Sequence, residues 1–229
     1  MNFSFLKSCP FLASFSFPTN HSLINLPLRM KSLLLTSLFF FSTMAGFTQS
    51  NKAYLDSLQA FRENYINTHE VVKTKEDRAQ LQFFPVDPTY RVKCRFEKMN
   101  NSEWFPMSTS GAVKKMHRIY GKLTFSIHDT ILHLFVYQSQ VLLQNEAEKD
   151  YLFIPFTDVT SGEESYGAGR YLECTISDIH DGALLLDFNK AYNPYCAYTT
   201  GYNCPIPPRE NELSLPIRAG EKNYGKKVH

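Results

Sequence analysis

The stretch "YRVKCRFEKM", Tyr90 to Met99, decides the fold. Tyr90, Val92, Cys94 and Phe96 alternate with Arg91, Lys93, Arg95 and Glu97. A period of two puts the first set on one face of a strand and the charged set on the other, whereas a helix would repeat every three or four residues. Cys94 lies with the apolar set, where a buried cysteine usually acts as a small hydrophobe.

Downstream the pattern continues. "HRIYGKLTFSI" (His117 to Ile127) and "DTILHLFVYQS" (Asp129 to Ser139) read as a hairpin turning at His128–Asp129. Further strands are predicted at Tyr151 to Phe156, Arg170 to Ile179 and Ala183 to Phe188, and "HDG" (His180 to Gly182) has the chemistry of a tight turn. No βαβ spacing and no internal repeat occur. The expectation is a mainly β (α+β) fold, an antiparallel meander or barrel-like sheet.

Upstream, residues 50–81 read as a helical arm. Tyr54, Leu55, Leu58, Phe61, Tyr65 and Ile66 make one apolar stripe, and Ser50 or Asn51 can cap its start. Thr74 to Leu81 reads as a second short helix with Thr74 as cap and Asp77 at the capping-box position. The two prolines of "FFPVDPTY" end the helical region.

Residues 1–48 carry Lys7, Arg29 and Lys31 and no acidic residue. Arg29 and Lys31, an apolar run over 33–41 and small residues at Thr43, Ala45, Gly46 and Thr48 have the three parts of a secretory signal. Met30 is a candidate start, with residues 1–29 as an upstream extension. The run is too short for a membrane span, so no stable span is expected after cleavage. The expected mature chain is one β-rich domain, 49–229, exported to the periplasm or beyond. With the three leader cations set aside from 24, 21 basic residues face 22 acidic ones, so no basic face points to nucleic acid.

Export permits disulfides. Cys94, Cys174, Cys196 and Cys204 allow three pairings, among which Cys196 with Cys204 is the close pair. A thiolate nucleophile at Cys196 is the chemical alternative. The histidines show no ligand spacing with these cysteines, so no metal and no cofactor is expected. Pro194, Pro205, Pro207, Pro208 and Pro216 exclude long regular elements from the last forty residues, which read as a long, ordered, proline-rich C-terminal loop.

Two segments carry a resemblance: "FIPFTDVTSGEESYGAGRYLE" (Phe153 to Glu173) and "LDFNKAYNPYCAYTTGYNCPIPPRENELSLPIRAGEK" (Leu186 to Lys222). Together they resemble the bacterial and archaeal family catalogued as domain of unknown function 1684. The resemblance implies no activity. It does single out Thr160, Gly162, Tyr166, Gly169, Arg170, Asp187, Asn189, Tyr192, Asn193, Cys196, Cys204, Pro205, Glu210, Asn211 and Glu221.

Three readings follow. The leading one is a binding module for a small molecule, with Glu164, Tyr166, Arg170, Asp187, Asn189, Tyr192, Asn193 and Asn211 around a pocket at one end of the sheet. In it Arg170 holds a carboxylate bidentately. The rival is a cofactor-free hydrolase in which Glu164, Asp187 and Glu210 supply acid and base, or Cys196 the nucleophile. The third is a structural protein of the envelope, without a cavity. The bland account of the same residues is that Asn and Asp side chains satisfy backbone groups in a proline-rich loop.

Overall fold

The structure, a computed structural model, describes residues 52–226. The signal-peptide reading of residues 1–48 lies outside them. From Ala53 the described chain forms one compact unit. It is mainly β, with helix α1 over residues 52–68 and the single turn α2 at Lys75–Arg78. Thr74 caps α2, its hydroxyl accepting the N–H of Asp77 at 3.1 Å.

Seven strands make the sheet: β1 Arg91–Lys98, β2 Phe105–Met107, β3 Lys115–Ile127, β4 Thr130–Ser139, β5 Tyr151–Phe156, β6 Arg170–Thr175 and β7 Ala183–Asp187. Their order is β6-β5-β4-β3-β1-β7, with β2 also on β3, and every pairing is antiparallel. The meander holds from β3 to β6. β7 then returns beside β1 instead of extending the meander. The sheet curls into a half-barrel, and after β7 the chain meets the far edge of β6, where Tyr171 and Tyr192 exchange backbone bonds of 2.8 and 3.1 Å.

Local chemistry sets the boundaries. Ile127 pairs with Thr130, so His128 and Asp129 alone make the β3–β4 turn, at φ 46° and 62°. Two left-handed residues match the twist of the flanking strands. β6 stops at Thr175, short of the predicted Ile179, because Asp178 accepts the Thr175 N–H at 2.7 Å and closes a 3₁₀ turn over Ile176–Asp178.

Alternation sorts the core. Val92, Leu123, Leu134, Leu152, Ile154 and Leu172 are buried on one face, where Phe188 meets Phe156 edge-on at 5.3 Å and Phe125 tilted at 5.6 Å. Each such side chain contributes about 1.5–3 kcal/mol by leaving water. The half-barrel interior is therefore filled by the protein itself. Residues of opposite parity, Tyr137, Phe153 and Tyr171, join Met107 in an aromatic cluster on the other face.

The segment after β7 is bridged to Tyr171 of β6 at Tyr192, and to Thr109, Thr157 and Phe83 in the connecting segments at Pro205, Glu212 and Glu221. Among the described residues, no helix is long and apolar enough to cross a membrane.

Candidate functional site

Side chains from three distant segments meet at one carboxyl. Glu221 is fully buried. Its Oε2 accepts the Tyr65 hydroxyl at 3.0 Å and the Asn193 backbone N–H at 2.9 Å, and the Tyr198 hydroxyl lies 2.7 Å from both oxygens. Tyr65 comes from α1 and Tyr198 from the turn after Tyr195–Ala197. Glu221 arrives through Gly220 at φ +77°, where a Cβ would stand 2.6 Å from the Ala191 oxygen and 2.7 Å from that of Phe188. No side chain fits there, and the left-handed backbone favours glycine as well.

Aromatic rings frame the carboxyl. The His69 ring is edge-on to Tyr198 at 4.6 Å and to Tyr65 at 5.1 Å, with Tyr195 at 6.0 Å. Burial lifts the Glu221 pKa to about 7, against the opposing pull of the Asn193, Tyr198 and Tyr65 hydrogen bonds and the Arg170 charge. Burial, then the Glu221 charge, pushes both tyrosines well above their ordinary range, so they stay donors. Burial pushes His69 down to about 4, so its ring is neutral. Its Nδ1 accepts the N–H groups of Val71 and Val72 at 3.3 and 3.0 Å, which leaves the proton on Nε2. That Nε2 and the Oδ1 of Asn193 are buried without a hydrogen-bond partner. A neutral-range carboxyl beside an unmet donor and an unmet acceptor can hold a small polar group or exchange a proton near pH 7.

Arg170 sets the position of Glu221. It is fully buried between the rings of Phe84 and Phe156, 5.7 and 5.3 Å away. Nη2 donates to Asp158 Oδ2 and to the Ile217 carbonyl, both at 2.8 Å, and Nη1 to the carbonyls of Ala219 and Glu221. Asp158 Oδ1 accepts the N–H groups of Thr160 and Ile217 at 2.8 and 3.1 Å. The carboxylate that Arg170 holds thus belongs to its own chain, and the pair fixes residues 217–221.

The other candidates fall into separate contacts. Asp187 accepts the Tyr54 hydroxyl at 3.1 and 3.0 Å, and Asn189 brackets the backbone of Asp87 with bonds of 3.1 and 2.8 Å. Asn211 brackets Phe135, at 2.7 and 2.9 Å, and donates to the Pro155 carbonyl at 2.7 Å. Tyr192 donates to Glu173. Glu164 pairs with Arg218 at 2.8 Å, Glu210 is exposed, and Tyr166 is half-buried in the β5–β6 loop. Cys196 and Cys204 form a disulfide with Cα atoms 6.4 Å apart. The three carboxylates Glu164, Asp187 and Glu210 share no partner in these contacts. A shallow groove of about 400 Å³, lined by Lys93, Asp178, His180, Asp181 and Leu185, contains none of the candidates. Among the described residues no cluster of three His, Cys, Asp or Glu side chains could hold a metal ion.

Sequence reasoning missed Tyr65, His69 and Asp158. The available signal was the histidine four residues past Tyr65, a polar ring at the end of an apolar stripe.

Residues 76–222 match the family described as "Protein of unknown function (DUF1684)", and the chain belongs to that family. It is also similar to an uncharacterized protein of Haloarcula marismortui whose structure was solved by solution NMR. The two are 30% identical with a TM-score of 0.58, over 76% of this chain and 96% of that one. A comparison with curated proteins finds no match. Asp158, Arg170, Asn193, Tyr198 and Glu221 lie inside the family span; Tyr65 and His69 precede it.

Proposed function

We propose that this is an exported binding module for a small polar molecule, and that its site is the box of Glu221, Tyr65, His69, Asn193 and Tyr198. One observation carries the reading. His69 Nε2 and Asn193 Oδ1 are both buried without a hydrogen-bond partner, and Tyr65, Tyr198 and the Asn193 N–H connect these residues to a carboxyl whose pKa burial lifts to about 7. Buried polar groups are almost always hydrogen-bonded, so a ligand offering both a donor and an acceptor would complete the set. The packed half-barrel interior argues against a ligand inside the sheet. The leader-like residues 1–48 support export, to the periplasm or outside the cell.

The test is a thermal-shift panel of polyols, sugars, small amines and amino acids on the wild type and on His69→Phe. One class should stabilise the wild type, by about 2.7 kcal/mol at a hundred times its Kd, and leave the variant unmoved. No shift from any class, or equal shifts in both proteins, overturns the reading. A cofactor-free hydrolase draws on the same near-neutral Glu221, now as general base. Mass spectrometry of the panel after incubation separates the two, because only the hydrolase consumes a compound and loses that activity in Glu221→Gln.

A further inference from the structure

Helix α1 meets the domain through a few ring contacts, Tyr65 against Phe83 and Tyr192 among them, and through polar ties. Of its side chains only Leu58 is fully buried, and Leu55 points to solvent at 43% exposure. Tyr54 reaches Asp187 and accepts from Asn189 at 3.1 Å, Arg62 donates to the Phe84 carbonyl at 3.1 Å, and Tyr65 reaches Glu221. The described part of α1 spans residues 52–68, and most of the stability of a protein helix comes from packing against its docking partners. It also stands before the family span that begins at residue 76. A bend over 69–74 separates it from α2, with exposed Lys73 and Thr74 at its end.

We propose that α1 is a lid over the Glu221 box, closed by the Tyr65 tie and opening as the surroundings become more alkaline. The groups that face Glu221 are few. From α1 comes Tyr65, with the His69 ring of the following bend edge-on to it; from the segment after β7, the Asn193 N–H and Tyr198; from β6, Arg170; and Lys222 adjoins it in sequence, its ammonium 5.4 Å from the Phe84 ring. Glu70 is one step further out, bound to Tyr195 at 2.7 Å. The tyrosines are pushed up and His69 is pushed down to about 4, so Glu221 itself is the group that changes charge between pH 4.5 and about 7. Lifting α1 removes Tyr65 and admits water, which returns Glu221 towards its ordinary 4.5. Opening therefore releases a proton. It is favoured as pH rises through that window and levels off above it. The lid does not depend on the box binding the ligand proposed above, although it gives such a ligand a way in.

Native-state hydrogen exchange on the ligand-free full chain tests this, with rates corrected for intrinsic amide chemistry. The opening constant of the α1 amides should rise on the order of 50-fold from pH 5 to pH 8. The β3–β4 amides should stay far better protected throughout, showing that α1 opens alone. Glu221→Gln should flatten the α1 profile, and Tyr65→Phe should speed α1 exchange at every pH. A flat wild-type profile, an equal rise in Glu221→Gln, or α1 exchanging together with β3–β4 overturns the lid. None of these readouts involves a ligand, so failure here leaves the binding reading standing, and an unresponsive ligand panel leaves the lid standing.

Discussion

Replacing Asp158 by Asn should be among the most damaging isosteric changes in this protein. Asp158 and Arg170 stand 2.8 Å apart with both side chains fully buried. Asparagine keeps an oxygen for the Thr160 and Ile217 N–H groups and removes the charge. Burial already pulls the Arg170 pKa down, yet a guanidinium does not give up its proton in a protein. It would stay charged and uncompensated, a change that costs about 3–5 kcal/mol. A domain of this kind has about 5–15 kcal/mol in total, so about a fifth or more would go. In urea, with m of about 1–3 kcal/mol/M, the midpoint should fall by about 1–5 M at unchanged m. A double variant sharpens the test. Arg170→Met with Asp158→Leu would be neutral or stabilising for a simple buried pair. Here it should remain destabilised, because the Ile217, Ala219 and Glu221 carbonyls and two N–H groups lose partners at about 1–3 kcal/mol each. An Asp158→Asn midpoint within about 0.3 M of wild type would refute the reasoning.

Three further outcomes are expected. Gly220→Ala, at φ +77° against two carbonyl oxygens, should cost well over about 1 kcal/mol by denaturant titration and loosen Glu221 with it; an unchanged midpoint would mean the backbone yields there. Glu221 has its pKa raised from 4.5 to about 7, so its stability contribution is fully present below pH 4.5 and lost as pH rises through about 7, a change of about 3 kcal/mol. Thermal melts of Glu221→Gln should lack that fall, and parallel wild-type and variant profiles would refute it. Reducing the Cys196–Cys204 link should lower unfolding free energy by about 2–3 kcal/mol, read as a reductant-dependent midpoint that the Cys196→Ser/Cys204→Ser variant does not show.

The sheet was legible where local chemistry decides it. The alternation at Tyr90–Phe96 places Val92 and Cys94 in the core, and the turns at His128–Asp129 and His180–Gly182 announce themselves by residue type. β2 was not legible, being three residues around Pro106. The return of β7 to β1 was not legible either, because curvature of the whole sheet decides it. The site was harder still. Tyr65 and Glu221 are 156 positions apart, so no local pattern links them. Tyr65 read as one more apolar-stripe residue, since a tyrosine serves packing and hydrogen bonding with the same ring. Arg170 was legible as a carboxylate holder, but its partner Asp158 sits twelve positions away in a loop whose glycines drew the reading elsewhere.

Asn211 bears on the order in which the molecule is completed. Its amide imitates a peptide unit, giving and taking with Phe135 on β4 while donating to Pro155 on β5. Between those strands one residue pair, Tyr137 with Phe153, is in register. The seam between β4 and β5 is therefore fastened by a side chain that a ribosome adds more than fifty residues after β5. A nascent chain that has emitted every strand still carries an open seam, with unsatisfied backbone at Phe135. The last stretch of translation is what closes the sheet, and chains cut before it would present that edge to chaperones or to one another.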